Sequence, residues 1–293
     1  MRLVRARLFA AALFACWCMV AGAADTPEPM RLRMDQGLLR LAQASDSAPA
    51  ASSGAVPEIG TTTSRTEVEI GGSHESLTRN LPDWSSVYLE ATHQFRERHT
   101  LYGGLRQTRR FDLDDTEAYG GLYYPLADTW TGLVEGTVSP QHNVLPEFSI
   151  YAQLQKEVTR GLLAGLGLRH MEYTTNGVNM AIGSVEYYWS AFRAAYTFYS
   201  SRVDGAGAAP AHRFQFNYYY TDRDSVGLSY VSGREVENVG PPVGLVTSEV
   251  REWALSGRHW FTRNWGVSYE LLDHEQGNLY RRQGLRLGLR HQF

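Results

Sequence analysis

The chain is 293 residues long, with a formal net charge of −3, 43% hydrophobic and 20% charged residues. That length suits one large domain or two small ones, and the apolar content excludes wholesale disorder. The near-neutral balance leaves no basic footprint for nucleic acid, and the two cysteines, Cys16 and Cys18, sit at the extreme N-terminus, so the body has no disulfide, zinc–thiolate site or thiol nucleophile.

Arg2, Arg5 and Arg7 precede an apolar stretch from Leu8 to Val20, and Ala21-Gly22-Ala23 supplies the small residues of a cleavage site. Residues 1–23 therefore read as a secretory signal peptide. The stretch is too short for a comfortable membrane span. Leu13-Phe14-Ala15-Cys16 is a poor lipoprotein signal, because Phe14 is bulky and the apolar run continues past the cysteine. Residues 24–63 are expected to form a periplasmic N-terminal segment and linker. Met34 to Ala44 can make a short helix, and Ser45 to Ser64 is mostly Ala, Ser, Pro, Thr and Gly with little to bury. The sharper alternative is a short docking helix for a periplasmic partner.

From residue 64 onward the pattern is alternation. Val87, Leu89, Ala91 and Phe95 alternate with Ser86, Tyr88, Glu90, Thr92 and Gln94, and Phe214, Phe216, Tyr218 and Tyr220 with Arg213, Gln215, Asn217 and Tyr219. Such stripes make strands with one apolar and one polar face. Strands are expected near 64–74, 84–96, 99–111, 116–125, 129–139, 146–157, 161–173, 178–189, 192–203, 211–221, 225–234, 247–259, 264–274 and 279–293. Tight turns (Arg96-Glu97-Arg98, Trp189-Ser190-Ala191, Thr221 to Asp224) alternate with longer connections (His74 to Asp83, Asp204 to Pro210, Glu235 to Val246). The fold class that follows is all-β: a closed antiparallel transmembrane β-barrel over residues 64–293, about fourteen strands, or twelve if the weak strand at 64–74 and a neighbour fail.

Three features separate a membrane barrel from a soluble sandwich. The polar face is heavily charged. Aromatic residues gather near strand ends, namely Trp84, Tyr124, Trp130, Trp189, Trp260 and Trp265, where amphipathic rings suit the headgroup level. The last strand ends on Phe293, on the same face as His291, Leu289, Leu287 and Leu285, and this terminal aromatic resembles the assembly signal of bacterial outer-membrane proteins.

Tyr119-Gly120-Gly121-Leu122-Tyr123-Tyr124-Pro125, Val185-Glu186-Tyr187-Tyr188, and Tyr280-Arg281-Arg282-Gln283-Gly284 with Leu287 through Phe293 resemble the YaiO-type outer-membrane β-barrel family. The resemblance implies architecture and a bacterial outer-membrane location, with no established biochemical activity. Surrounding lipid and lipopolysaccharide, the barrel-assembly machinery and periplasmic chaperones are the partners that such a protein implies.

Function is then a matter of the lumen. Alternation points Glu90, Glu117, Glu135, Glu186, Glu252 and Glu270 inward, with Arg106, Arg110, Arg169, Arg193, Arg213, Arg258, Arg286 and Arg290. Mixed signs suit cross-strand pairs that brace the wall, and also suit a constriction passing small polar solutes. The sequence reading is a passive channel or transport protein for small hydrophilic solutes. The alternative is a closed structural or adhesive barrel that presents loops or anchors the periplasmic segment, and a lipid-modifying enzyme comes third. His170, His212, His259 and His274 are candidate bases, and Ser200, Ser201, Ser229 and Ser256 candidate nucleophiles. No G-x-S-x-G or paired spacing connects them, so no enzyme and no cofactor is expected. Asp112, Asp114, Asp115 and Glu117 read as a solvated acidic outer loop, with a Ca²⁺ or Mg²⁺ site as the alternative.

Overall fold

Strands cross lipid only when they close on themselves, because hydrocarbon offers no partner to a free edge. The computed structural model describes residues 64–95, 99–203 and 207–293. The expected signal peptide, N-terminal segment and Arg96-Glu97-Arg98 turn lie outside the described residues, as does part of the connection from Asp204 to Pro210.

Fourteen strands follow in order: β1 (Arg65–Leu77), β2 (Trp84–Gln94), β3 (Thr100–Arg110), β4 (Leu113–Ala127), β5 (Trp130–Val138), β6 (Phe148–Thr159), β7 (Leu162–Glu172), β8 (Gly177–Trp189), β9 (Phe192–Val203), β10 (Ala208–Tyr219), β11 (Ser225–Asn238), β12 (Leu245–Trp260), β13 (Trp265–Gln276) and β14 (Tyr280–Gln292). Each pairs antiparallel with its neighbours, and β1 closes on β14 through pairs such as Glu69↔Arg290 and Ile70↔Leu289. The segment at 64–74, weak as sequence, is a full strand paired on both sides, so the count is fourteen and not twelve.

An even count brings the start of β1 and the end of β14 to one end, the periplasmic end of an outer-membrane barrel. Connections there are short (residues 128–129, 160–161 and 190–191), while the opposite, outer end carries 78–83, 139–147 and 239–244. The outer connections are shorter than the sequence suggests. β11 runs on to Asn238 and pairs with β12 as far as Leu245, which absorbs half of the expected loop from Glu235 to Val246. The β3–β4 connection is only Phe111-Asp112, both at positive φ (52° and 61°), as a two-residue hairpin turn requires.

The two faces differ sharply. Outward side chains are apolar, aliphatic on most strands and aromatic on β9 and β10, and open to lipid at mid-height: Leu166 is 75% exposed and Ile70 60%. Inward side chains are packed. Tyrosines lie flat over glycines of the neighbouring strand: Tyr88 over Gly71, Tyr119 over Gly104, Tyr102 over Gly121. The Tyr102 hydroxyl donates to Glu135, so its ring cannot swing away, and a Cβ at residue 121 falls 2.4 Å from that ring. Gly121→Ala should therefore destabilise the barrel by about 1–3 kcal/mol, seen as a lower temperature for the heat-dependent gel shift. An unchanged shift would show that the ring is free to move.

Candidate functional site: the lumen and its outer mouth

The inward row of every strand converges on a network of charges and phenols. The Arg193 Nε and Nη2 lie 2.8 Å from Glu186 Oε2, and the Gln155 amide donates to the other carboxylate oxygen at 2.9 Å. Arg169 donates to Glu135 at 2.8 Å. Tyr119 donates to Glu90 at 2.8 Å. Arg106 stands 3.9 Å from Glu117. At the β1–β14 seam, Arg290 reaches Glu67 (3.0 Å) and Glu69 (3.1 Å), and Arg286 stands 3.8 Å from Glu69. Arg258 donates to the Arg223 carbonyl at 2.6 Å, and Arg213 is buried on β10. Glu270 lies opposite Arg286 in the ladder and is half-buried. Thus the fourteen charged positions singled out by alternation all lie on inward rows, though Arg110 does not sit against a carboxylate. Its guanidinium is 4.2 Å from the ring of Trp84.

Two of the expected headgroup aromatics are corrected. Trp84 is 2% exposed inside the barrel, between Arg110 and Arg282 (4.2 and 4.8 Å) and edge-on to Phe111 and Tyr280. The register dictates this, because Trp84 shares the inward row of Ser86, Tyr88 and Glu90. Trp260 likewise continues the inward row of β12, over Gly266, with the Arg223 guanidinium 3.6 Å from its ring. Tyr124, Trp130, Trp189 and Trp265 do lie on the outer wall at the periplasmic end, where Lys156 covers Trp130 at 5.0 Å. Phe293 joins them, 72% exposed, with its N–H donated to the Thr66 carbonyl at 3.0 Å.

Sequence reasoning missed how much of the lumen is apolar. Met171, Tyr173, Val178, Met180, Ile182, Val203, Val231, Val236 and Val250 form a buried cluster in its outer half. Val178, Met180 and Ile182 alternate correctly, but an apolar row inside a barrel looks in sequence like a lipid-facing one.

The acidic cluster is also not a solvated loop. Alternation along β4 divides it: Asp112 stays in the turn and pairs with Arg109 (3.3 Å), Asp114 points outward, and Asp115 and Glu117 point in. Asp115 accepts the backbone N–H groups of Asn143 (2.9 Å), Val144 (2.8 Å) and Leu145 (2.8 Å), and the Asn143 side-chain amide at 2.9 Å. Asn238 donates to the Val144 carbonyl at 3.3 Å from the far wall. The 139–147 connection is thereby folded into the mouth, with Val144 and Leu145 fully buried.

The histidines divide in the same way. His170, His212 and His259 face outward, bonded to Asn179, Tyr196 and Tyr220 at 2.9, 2.8 and 3.1 Å. His274 is inside, between Glu252 (2.9 Å) and Gln276 (2.5 Å). None of Ser200, Ser201, Ser229 and Ser256 is brought against any of them by a hydrogen bond shown in the structure.

The family model of the YaiO membrane β-barrel domain matches residues 65–238, which is β1 through β11. The chain belongs to the YaiO membrane β-barrel family. It is an outer-membrane β-barrel. The Tyr119–Pro125 and Val185–Tyr188 motifs fall inside the match, whereas the closing motif from Tyr280 to Phe293 lies beyond it. No curated protein matches the chain. Similar solved structures include the KdgM porin (13% identity, TM-score 0.43, 77% of this chain and 99% of that one). OccK5 (OpdH) of Pseudomonas aeruginosa is similar at 10% identity (TM-score 0.46, 78% and 98%). A bacterial polysaccharide outer-membrane secretin also aligns (10% identity, TM-score 0.49, 78% and 98%).

Proposed function

We propose that this YaiO-family barrel is a closed outer-membrane anchor, not an open path for small hydrophilic solutes. The observation that carries the reading is the burial of the lumen: Arg193 is 0% exposed, and Glu117, Tyr151 and Arg290 are each 1%. A passage wide enough for a hydrated solute leaves its lining groups wetted. Here they touch one another, and the outer half holds an apolar core under Val144 and Leu145. Adhesion through projecting loops is disfavoured by the same structure, since the longest fully described outer connection folds inward. Anchoring of the segment that precedes β1 is what remains of the second sequence reading. Outside, Arg202, Arg234, Arg251 and Arg281 stand exposed near the outer end, where lipopolysaccharide phosphates would meet them. Refolded protein in a planar bilayer should show no steady conductance. A reproducible single-channel step would overturn the closed reading and restore the passive channel.

A further inference from the structure

The strand register places an unusual row on the outer wall. β1 continues three residues past His74, so His74 lies opposite Ser85 of β2, Ser85 opposite Arg109 of β3, and Arg109 opposite Asp114 of β4. All four are on the outward face near the outer end. Directly opposed side chains in an antiparallel pair stand about 5 Å apart at Cβ, so the register puts Ser85 next to His74 on one side and Arg109 on the other, within reach of a hydrogen bond that the free protein does not make. Asp83, in the β1–β2 connection, holds Oδ2 3.5 Å from His74 Nε2, while its Oδ1 accepts the Leu77 N–H at 3.3 Å. The row borders an open groove of about 510 Å³ floored by Gly72, Val87, Leu285 and Leu287, with Gln107 beside Val87. Below it Ile70, Leu89 and Leu105 are open to lipid.

We propose that Ser85, His74 and Asp83 form an acyl-ester hydrolase site at the lipid surface, acting on a long-chain acyl ester whose headgroup carries phosphate. The apolar bed takes the chain, and Arg109, paired at 3.3 Å with the exposed Asp112 and opposite Asp114, turns from the surface carboxylate to supply the positive charge beside the headgroup. This does not depend on whether the lumen conducts. Asp83 orients the imidazole through Nε2, leaving Nδ1 to take the hydroxyl proton as Ser85 Oγ adds to the ester carbonyl carbon. The carbonyl electron pair moves to its oxygen, facing Arg109. Collapse breaks the bond to the alcohol, which leaves with the proton held by His74. Water, giving its proton to His74, then adds to the acyl-serine. The second collapse frees the fatty acid and returns the proton to Ser85.

The test uses full-length folded protein, verified by its heat-dependent gel shift. A fluorophosphonate probe should label Ser85 covalently, a readout that needs no variant. In mixed micelles, fatty acid should be released from phosphatidylethanolamine, from lipid A, or from both, and the responding lipid identifies the source. Ser85→Ala and His74→Ala should reduce release on the order of 10²–10⁴-fold. Asp83→Asn should lower kcat with KM little changed, which a purely structural role would not do. Absence of both labelling and release, or release that survives Ser85→Ala, overturns the site. Labelling at Ser85 without release from either lipid overturns the substrate class.

Discussion

Glu186→Ala should destabilise the barrel by about 3–5 kcal/mol, the cost of leaving a buried charge uncompensated. Arg193 is 0% exposed and places two guanidinium nitrogens 2.8 Å from one Glu186 oxygen, while Gln155 holds the other. Removing the carboxylate strips the ion pair from a guanidinium that water does not reach. Glu186→Gln should cost less, since an amide oxygen still accepts from Arg193. The internal control is Asp273→Ala on the outer wall. Asp273 holds Arg281 at 2.8 and 2.5 Å, but with side chains 38% and 54% exposed. Such an exposed pair is worth about 0–1 kcal/mol. Denaturant titration followed by tryptophan fluorescence measures both. Equal, small losses would mean that water reaches Glu186, as the sequence alone suggests for a polar lumen.

Asp115→Ala should release the 139–147 connection from the mouth. The carboxylate accepts three backbone N–H groups and one side-chain amide of residues 143–145, and bonds to a charged acceptor are worth about 1.5–3 kcal/mol each. Amide hydrogen exchange at Val144 and Leu145 should accelerate by several orders of magnitude, with the strands beneath unchanged. Conductance should remain absent, because Met180, Ile182 and Val231 still fill the lumen below. Unchanged exchange would show that burial of Val144 and Leu145, not Asp115, holds the loop. Conductance on release would turn the loop into the gate of a channel.

The strands were legible because a half-buried strand writes its period into the sequence: β9 and β14 lie within a residue of their expected bounds. What escaped was set by features without a local signature. The lipid face and the apolar half of the lumen demand the same residues, so Val178, Met180 and Ile182 could not announce their side. Trp84 and Trp260 suit the headgroup level by residue type, but their parity along β2 and β12 points inward. Asp115 and its loop are 28 to 30 residues apart in sequence. His74 and Ser85 both fall inside their expected strands, but the register that sets them opposite each other is a property of the pair and not of either strand's alternation.

The inward hydrogen bonds tie strands that are not ladder neighbours. Glu90–Tyr119 joins β2 to β4, Glu135 joins β5 to both β3 and β7, Gln155–Glu186 joins β6 to β8, and Glu237–Tyr280 joins β11 to β14. At the seam, Ser268 of β13 donates to Glu69 of β1 across the whole width of β14 at 2.7 Å. In mechanical terms these ties are a second hoop inside the first. An end strand drawn along the membrane normal carries its next-but-one neighbour with it, so the junction of first and last strands is not the weak line that chain topology alone would make it. The cross-ties also oppose flattening of the barrel under lateral pressure from the bilayer, and a hollow cylinder of the same strand number has no such reinforcement.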